Sequence, residues 1–585
     1  MKKIFNFILI IALTGSMMIM FSCNDEFLVK EPPGAAAGSV MQSPEGLEAL
    51  LIASYSTLQG RSRFGGAMAT DWTYGSGASD DGYKGTSTGD QNNFNAVERY
   101  EALPSNAYMR DRWQDCYDGA ARTNQVLEFL WAAQESDSPI EAGRAKEMEG
   151  EAKFLRAWFH FKATKIFEKI PYILTQVELG EDMVPEEIPN DTEGWDEIEA
   201  DLQFAIDNLP ETSPLGDPGR VTKYSAMAVK AQAHMYQNEL GQAKSLLDNI
   251  ISSGKYSLVS NYYDNYNMTT ENNAESIFEI QAANSGSSSS SLVLNRAVAH
   301  QSGPAGIGWG FYQPSQNLFE AFQVTDDGLP VLEMADRVPL ANDMGVASSA
   351  EFQPTDHLLD PRVDWTISRR GIDFIGWGIC EGQSWIRQQD NGGPYMQKKF
   401  SSLYENFSLN VYGNGRDNGR NFRAYRYSHV LLWRAEVAVA DGELDKARLL
   451  VNQIRDRVKS SDVVMGLVST TAFVSGEIVV DWTQPAANYK VEPYPAGADA
   501  FSSADKAIKA VRLEQRLEFA MEGTRFFDLR RWGIDDAVLN AFIAADVQYR
   551  AFMTGAVYNP TEDDYWPLPE SQLDIQDVLQ QDPSY

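Results

Sequence analysis

The chain has 585 residues, with 82 Asp and Glu against 49 Lys and Arg, and a formal net charge of −33. Such a surface repels phosphate backbones and anionic headgroups, which argues against nucleic acid as a partner and against a polybasic membrane patch. Three cysteines are too few for a disulfide scaffold, whereas 13 Trp and 25 Tyr make the placement of rings the informative variable.

At the start, Lys2 and Lys3 precede an apolar run from Ile4 to Phe21, followed by Ser22 and Cys23. This pattern predicts a lipoprotein signal over residues 1–22, cut before Cys23, which is then acylated. The alternative is an uncleaved membrane anchor, since the run is near the ~17-residue lower limit for a span. The Ser22-Cys23 junction favours the lipoprotein. Residues 23–42, with Pro32-Pro33-Gly34, read as a lipidated tether. Cys116 and Cys380 then remain, either as a pair or as two buried thiols.

A domain spanning 43–585 follows. Ser43 and Pro44 predict a helix start. A Gly/Ser/Asp-rich segment over 75–89 interrupts the helical pattern. Apolar residues three or four apart then predict amphipathic helices over 107–134, 144–169 and 194–209. Two later segments match at an offset of 204. Met227, Ala231, Glu239, Leu240, Ala243, Leu247 and Ile250 correspond to Leu431, Ala435, Glu443, Leu444, Ala447, Val451 and Ile454. Each reads as a helical hairpin with small alanines at the crossing, in the manner of tetratricopeptide repeats. Between them, residues 260–425 are rich in Gly, Asn, Ser and aromatics, and Ser285–Ser291 is of low complexity. The expected fold is mostly α. A tetratricopeptide-like scaffold over 43–259 and 426–585 carries a long, irregular, loop-rich insertion.

Chemical motifs are scarce. The five histidines are widely separated, with no His-Glu-x-x-His, so no zinc ligand cluster is legible and no metal or cofactor is expected; acidic loops would hold calcium only incidentally. Gly85-Thr86-Ser87-Thr88-Gly89 fits a nucleophile-elbow string but lacks its flanking strand and helix. Gly413-x-Gly415 has the wrong spacing for a dinucleotide. Glu514, Glu518 and Glu522 lie four apart on one predicted helical face, with Arg512 and Arg516 beside it and Gly523 to end the helix. Two readings apply. Glu522 and Asp528 act as acid and base, or the segment is an ion-pair lattice. The many arginines favour the lattice, because they hold carboxyl pKa values low.

The same segment, Arg516-Leu-Glu-Phe-Ala-Met-Glu-Gly-Thr-Arg-Phe-Phe-Asp-Leu-Arg-Arg-Trp-Gly533, resembles the signature of the SusD/RagB family of Bacteroidota surface lipoproteins. Other stretches agree in order. Cys23 with Asp25-Glu26-Phe27-Leu28 resembles the anchored start, and Glu151–Phe159 through Ile170-Pro171 an early helix and turn. Tyr427–Ala440 resembles a late alanine-rich helix, and Tyr565-Trp566-Pro567-Leu568-Pro569 the C-terminal turn. Asn24-Asp25-Glu26 is similar to the surface-export signal of such lipoproteins. The resemblance implies an outer-membrane, outward-facing, non-catalytic protein. It would capture glycan and pass it to a SusC-like TonB-dependent transporter.

A sugar offers C–H faces to an aromatic ring and hydroxyls to polar side chains. The loops supply both. Asp71, Trp72, Tyr74 and Tyr83 flank the first Gly-rich segment, Trp309 and Tyr312 stand among glycines in the insertion, and Trp377, Trp385 and Arg387 lie in another. These nine are the expected glycan contacts. Trp158, Trp195, Trp433 and Trp532 lie in helical patterns and read as core. Two or three aromatic platforms at ~0.5–1.5 kcal/mol each, with hydrogen bonds, imply a weak site of roughly −4 to −6 kcal/mol. Two alternatives stay open: a peptide as ligand, and a surface glycoside hydrolase.

Overall fold

The computed structural model describes residues 38–61, 64–282, 303, 308–412, 417–473 and 478–585. The leader, Cys23, most of the tether, Ser285–Ser291 and Gly413–Gly415 lie outside them. Among the described residues no helix is long and apolar enough to cross a membrane.

The helices follow the predicted pattern closely. Helix α1 (Pro44–Ser56) begins where expected: Ser43 accepts a hydrogen bond from the Gly46 N–H, and Pro44 occupies the first turn, where no N–H is needed. Helices α2 (Ala107–Gln134), α3 (Ala142–Phe167) and α4 (Trp195–Asn208) come next. The two similar segments form hairpins α5 (Lys223–Tyr236)/α6 (Leu240–Ser252) and α7 (Tyr427–Ala440)/α8 (Leu444–Ser460). Their aligned alanines, Ala231 and Ala243 against Ala435 and Ala447, are fully buried.

Each helix packs on the next, and α6 packs directly on α7. The chain therefore leaves the helical stack after residue 252 and rejoins it at 427 beside the point of departure. Strand pairing closes the neck of this excursion. Ser276–Ile280 runs antiparallel to Phe422–Arg426, with Ser276 opposite Arg426 and Ile280 opposite Phe422. Helix α9 (Ala504–Phe519) packs on α7 and α8, and α10 (Arg525–Arg531) and α11 (Asp535–Asp546) follow.

Helix α9 also carries the lattice expected from its carboxylates, but most of its cations come from elsewhere. Glu514 meets Arg362 at 2.7 Å and Arg455 at 2.9 Å, and Glu518 meets Arg362 at 3.0 Å together with Arg426 and Arg457. Arg516 turns instead to Asp80 and Asp81, and Arg512 stacks over Trp532. The helix ends at Phe519, before the predicted stop. Met521 takes φ 62°, and Gly523 (φ 80°) is needed because a Cβ there would lie 1.9 Å from the Thr70 carbonyl oxygen. Glu522 is thus off the helix, yet it joins the same cluster through Arg426 at 3.0 Å and Lys399 at 2.8 Å. Burial pushes the Glu518 and Glu522 carboxyls up, but the surrounding cations outweigh it and hold Glu518 well below its usual range and Glu522 at about 2. A general acid at neutral pH needs the opposite. Asp528 is held by Arg531 at 2.8 Å and is raised by burial.

Cys116 and Cys380 are both buried free thiols, so the open choice between pairing and burial resolves to burial. Trp158 and Trp433 are core residues as expected, and Trp195 and Trp532 pack half-buried against the core.

Candidate functional site

The nine expected ligand residues divide sharply. Six are buried. Trp72 is fully enclosed, with its ring 4.9 Å from Phe94 and 4.8 Å from Tyr312. Tyr74 is equally enclosed and donates its hydroxyl to the Gly65 and Tyr108 carbonyls. Asp71 is the hub of a buried ion cluster, 2.7 Å from Arg112, 2.6 Å from Lys162 and 3.0 Å from Lys165; these cations outweigh burial and depress its pKa. Tyr83 donates to Asp546 at 2.6 Å beneath the Arg550 guanidinium, 3.9 Å from the ring centre. Tyr312 donates to Ser76 and to the Met521 carbonyl. Trp385 is only 7% exposed and packs on Phe374. None of these six offers a free face to a ligand. Trp72, Tyr74 and Tyr83 turn inward although the Gly-rich segment they flank reads locally as a loop.

Trp309, Arg387 and Trp377 are different. Strand Gly82–Gly85 pairs antiparallel with Phe311–Pro314, with Gly85 opposite Phe311. This pairing sets the Thr86–Asp90 turn beside the Trp309 loop. Gly85 (φ 78°) permits it, since a Cβ would lie 2.5 Å from the Gly310 carbonyl oxygen. The next residue, Thr86, sits at φ 55°, a strained conformation for a β-branched residue, and donates its N–H to that same carbonyl. Lys84 supports the turn from below by donating to the Ser87 and Asp90 carbonyls. Burial lowers its pKa to about 8 against the opposing pull of Glu98 and Asp90.

A third loop completes this surface. Arg387 donates to the Thr86 hydroxyl at 2.7 Å and to Asp90 at 3.0 Å, and Gln388 meets Thr88. The Trp309 ring is half-buried and stands edge-on to Phe311 at 6.4 Å. The turn and the third loop thus bring a guanidinium, a carboxylate, an amide and two hydroxyls together, and the Thr86–Gly310 hydrogen bond ties them to the loop that carries the partly exposed Trp309.

Trp377 belongs to a second, partly exposed cluster. It donates its indole N–H to the Ser402 carbonyl, and its ring meets Tyr404 and Phe407 edge-on, each at 5.0 Å. Tyr404 is 60% exposed. Sequence reading missed Tyr404, Phe407, Asp90 and Thr88. Only Tyr404 carries a local signal, as a large ring in the polar string Ser-Ser-Leu-Tyr-Glu-Asn. Surface clefts of about 460 and 470 Å³ lie elsewhere, one lined by Asn190, Tyr565 and Tyr585, the other by Trp113, Tyr117 and Gln572; neither contains an expected residue.

Comparison with known proteins fits this architecture. A SusD family model matches residues 274–585, and a second, described as starch-binding associating with outer membrane, matches residues 26–237. SusD-like protein P25 of Formosa agariphila is 27% identical over 268 residues, 45% of this chain and 49% of that protein. A SusD-like protein of Bacteroides ovatus is 22% identical over 54% of this chain and 58% of its own length. These matches span about half the length of the curated relatives. Among solved structures, a SusD superfamily protein of Bacteroides vulgatus superposes with a TM-score of 0.67 at 20% identity, covering 93% of this chain and 99% of that one. A laminarin-binding SusD-like protein gives 0.64 at 21%, covering 93% and 100%. Surface glycan-binding protein A of Bacteroides thetaiotaomicron, in complex with laminarihexaose, gives 0.64 at 20% with the same coverage. A family match over more than half the chain, on a helical stack shared along 93% of it, means that this protein belongs to the SusD family.

Proposed function

We propose that the chain is a non-catalytic surface lipoprotein, anchored through Cys23, that binds glycan and delivers it to a SusC-like TonB-dependent transporter. The observation that carries the binding reading is the surface where Arg387 meets Asp90 and Gln388 meets Thr88, on the turn whose Thr86 N–H bonds the Gly310 carbonyl next to the partly exposed Trp309. The partly buried Trp377 with the exposed Tyr404 supplies a second aromatic platform. Support for glycan over peptide comes from the relatives, whose names include laminarin binding and a laminarihexaose complex. The absence of catalysis is inferred from α9, whose carboxylates are neutralised by arginine in place of being poised for proton transfer.

Affinity electrophoresis in gels containing laminarin, starch or other soluble polysaccharides tests this reading. Retardation in at least one gel is expected, with no new reducing ends after prolonged incubation. Retardation by none of them, or sustained release of reducing sugar, rejects it. Co-purification with a TonB-dependent barrel tests delivery.

A further inference from the structure

Helix α4, the last turn of α5 and the start of α6 bring three potential metal ligands together. Glu199 lies on α4, His234 on α5, and Glu239 caps α6. Their ligand atoms all lie within 4.8 Å of one another. His234 Nδ1 is 2.8 Å from Glu239 Oε2 and 3.4 Å from Glu199 Oε1. Ligands on a tetrahedral ion with bonds of about 2.0–2.2 Å are spaced roughly 3.3–3.6 Å apart, so small side-chain movements suffice.

The charge balance points the same way. Two carboxylates face one buried imidazole, and among the described residues no lysine or arginine forms an ion pair with either. The second hairpin differs at the equivalent place. Glu443, which corresponds to Glu239, receives Arg434 at 3.2 Å. The counterpart of Arg434 in the first hairpin is Lys230, whose ammonium donates to Gln203 and feels Glu199 only at longer range, without a direct ion pair. The first hairpin thus lacks the direct ion pair that the second one has. Amides hold both carboxylates in place: Gln237 donates to Glu199 at 2.7 Å and Gln242 to Glu239 at 2.8 Å. Such outer partners orient metal ligands. Glu199 and Glu239 remain partly open to solvent, which leaves room for a water as fourth ligand.

We propose that Glu199, His234 and Glu239 form a site for a divalent transition-metal ion, zinc by ligand type, that clips α4, α5 and α6 together. An imidazole nitrogen with two carboxylates suits zinc and its neighbours, whereas calcium takes six to eight oxygens. Binding requires His234 Nδ1 to be free of its proton, which either shifts to the other ring nitrogen or is released.

Equilibrium dialysis of the full chain, without a histidine tag and in excess calcium and magnesium, tests the site with zinc as probe. One tight equivalent is expected, with a zinc-dependent rise in Tm. Loss of an outer partner alone typically costs ~10–100-fold in affinity, so Glu239→Gln and His234→Gln should each weaken binding by at least that factor. Glu239 is on the surface, so Glu239→Gln keeps the test decisive if His234→Gln fails to fold. Unchanged zinc affinity in Glu239→Gln, or no zinc retained by the unaltered chain against calcium, overturns the proposal.

Discussion

The Arg387 guanidinium meets the Asp90 carboxylate at 3.0 Å, joining two loops almost 300 residues apart in sequence. Both side chains are partly exposed, so the pair contributes only about 0.2–1 kcal/mol to stability. Its importance is geometric, since it fixes the turn beside Trp309. Arg387→Ala is expected to leave Tm nearly unchanged while lowering polysaccharide retardation. Equal retardation with an unchanged Tm would remove this surface from the binding site.

Trp377→Ala and Trp72→Ala should separate binding from folding. Loss of the partly exposed Trp377 ring is expected to cost about 0.5–1.5 kcal/mol of ligand affinity, a few-fold change in electrophoretic affinity, with a smaller loss of stability than truncation of an enclosed ring. Trp72 is fully buried, and its truncation is expected to cost ~3–5 kcal/mol of folding free energy. Chemical denaturation distinguishes the two. A Trp72→Ala chain of normal stability that no longer binds glycan would reinstate Trp72 as a contact.

Glu522 predicts an acid limb in the stability profile. Its folded-state pKa of about 2 lies below the ordinary glutamate value of about 4.5, so its contribution is fully present above about 4.5 and is lost as pH falls towards 2. The shift corresponds to roughly 3 kcal/mol. Glu522→Gln should therefore lower stability at pH 7 and flatten the dependence between pH 4.5 and 2. An unaltered slope there would show that other carboxyls carry the acid limb.

The thiols should be inert in the folded state. Burial pushes Cys116 up to about 12 and Cys380 up to about 11, and the thiolate is the reactive form. With Cys23 replaced by serine, Ellman's reagent should find no thiol in the native chain and two after denaturation. Fast native labelling would contradict the buried placement.

The proposed membrane anchoring rests on Cys23. Labelled fatty acid should enter the unaltered chain and not Cys23→Ala. Incorporation that persists in the variant would place the lipid elsewhere.

How much was legible differs between scaffold and site. The helices were readable because their period, caps and crossing alanines are local: Ser43 caps α1, and the 204-residue offset foretold both hairpins. The lattice on α9 was readable as a charge pattern, but its principal partners, Arg362, Arg426, Arg455 and Arg457, were not, because three other segments of the chain deliver them.

Sequence alone determined that this is a mostly helical protein of the SusD family with a long insertion and abundant loop aromatics. It did not determine which aromatics face outward. Trp72, Tyr74, Tyr83 and Tyr312 sit in the same Gly-rich surroundings as Trp309 and Trp377, yet only the last two keep exposed surface. In a helix or strand, burial follows from a repeat that can be counted. In a loop it follows from what the rest of the chain lays across it, as Phe94 and Tyr312, from two other segments, do around the Trp72 ring.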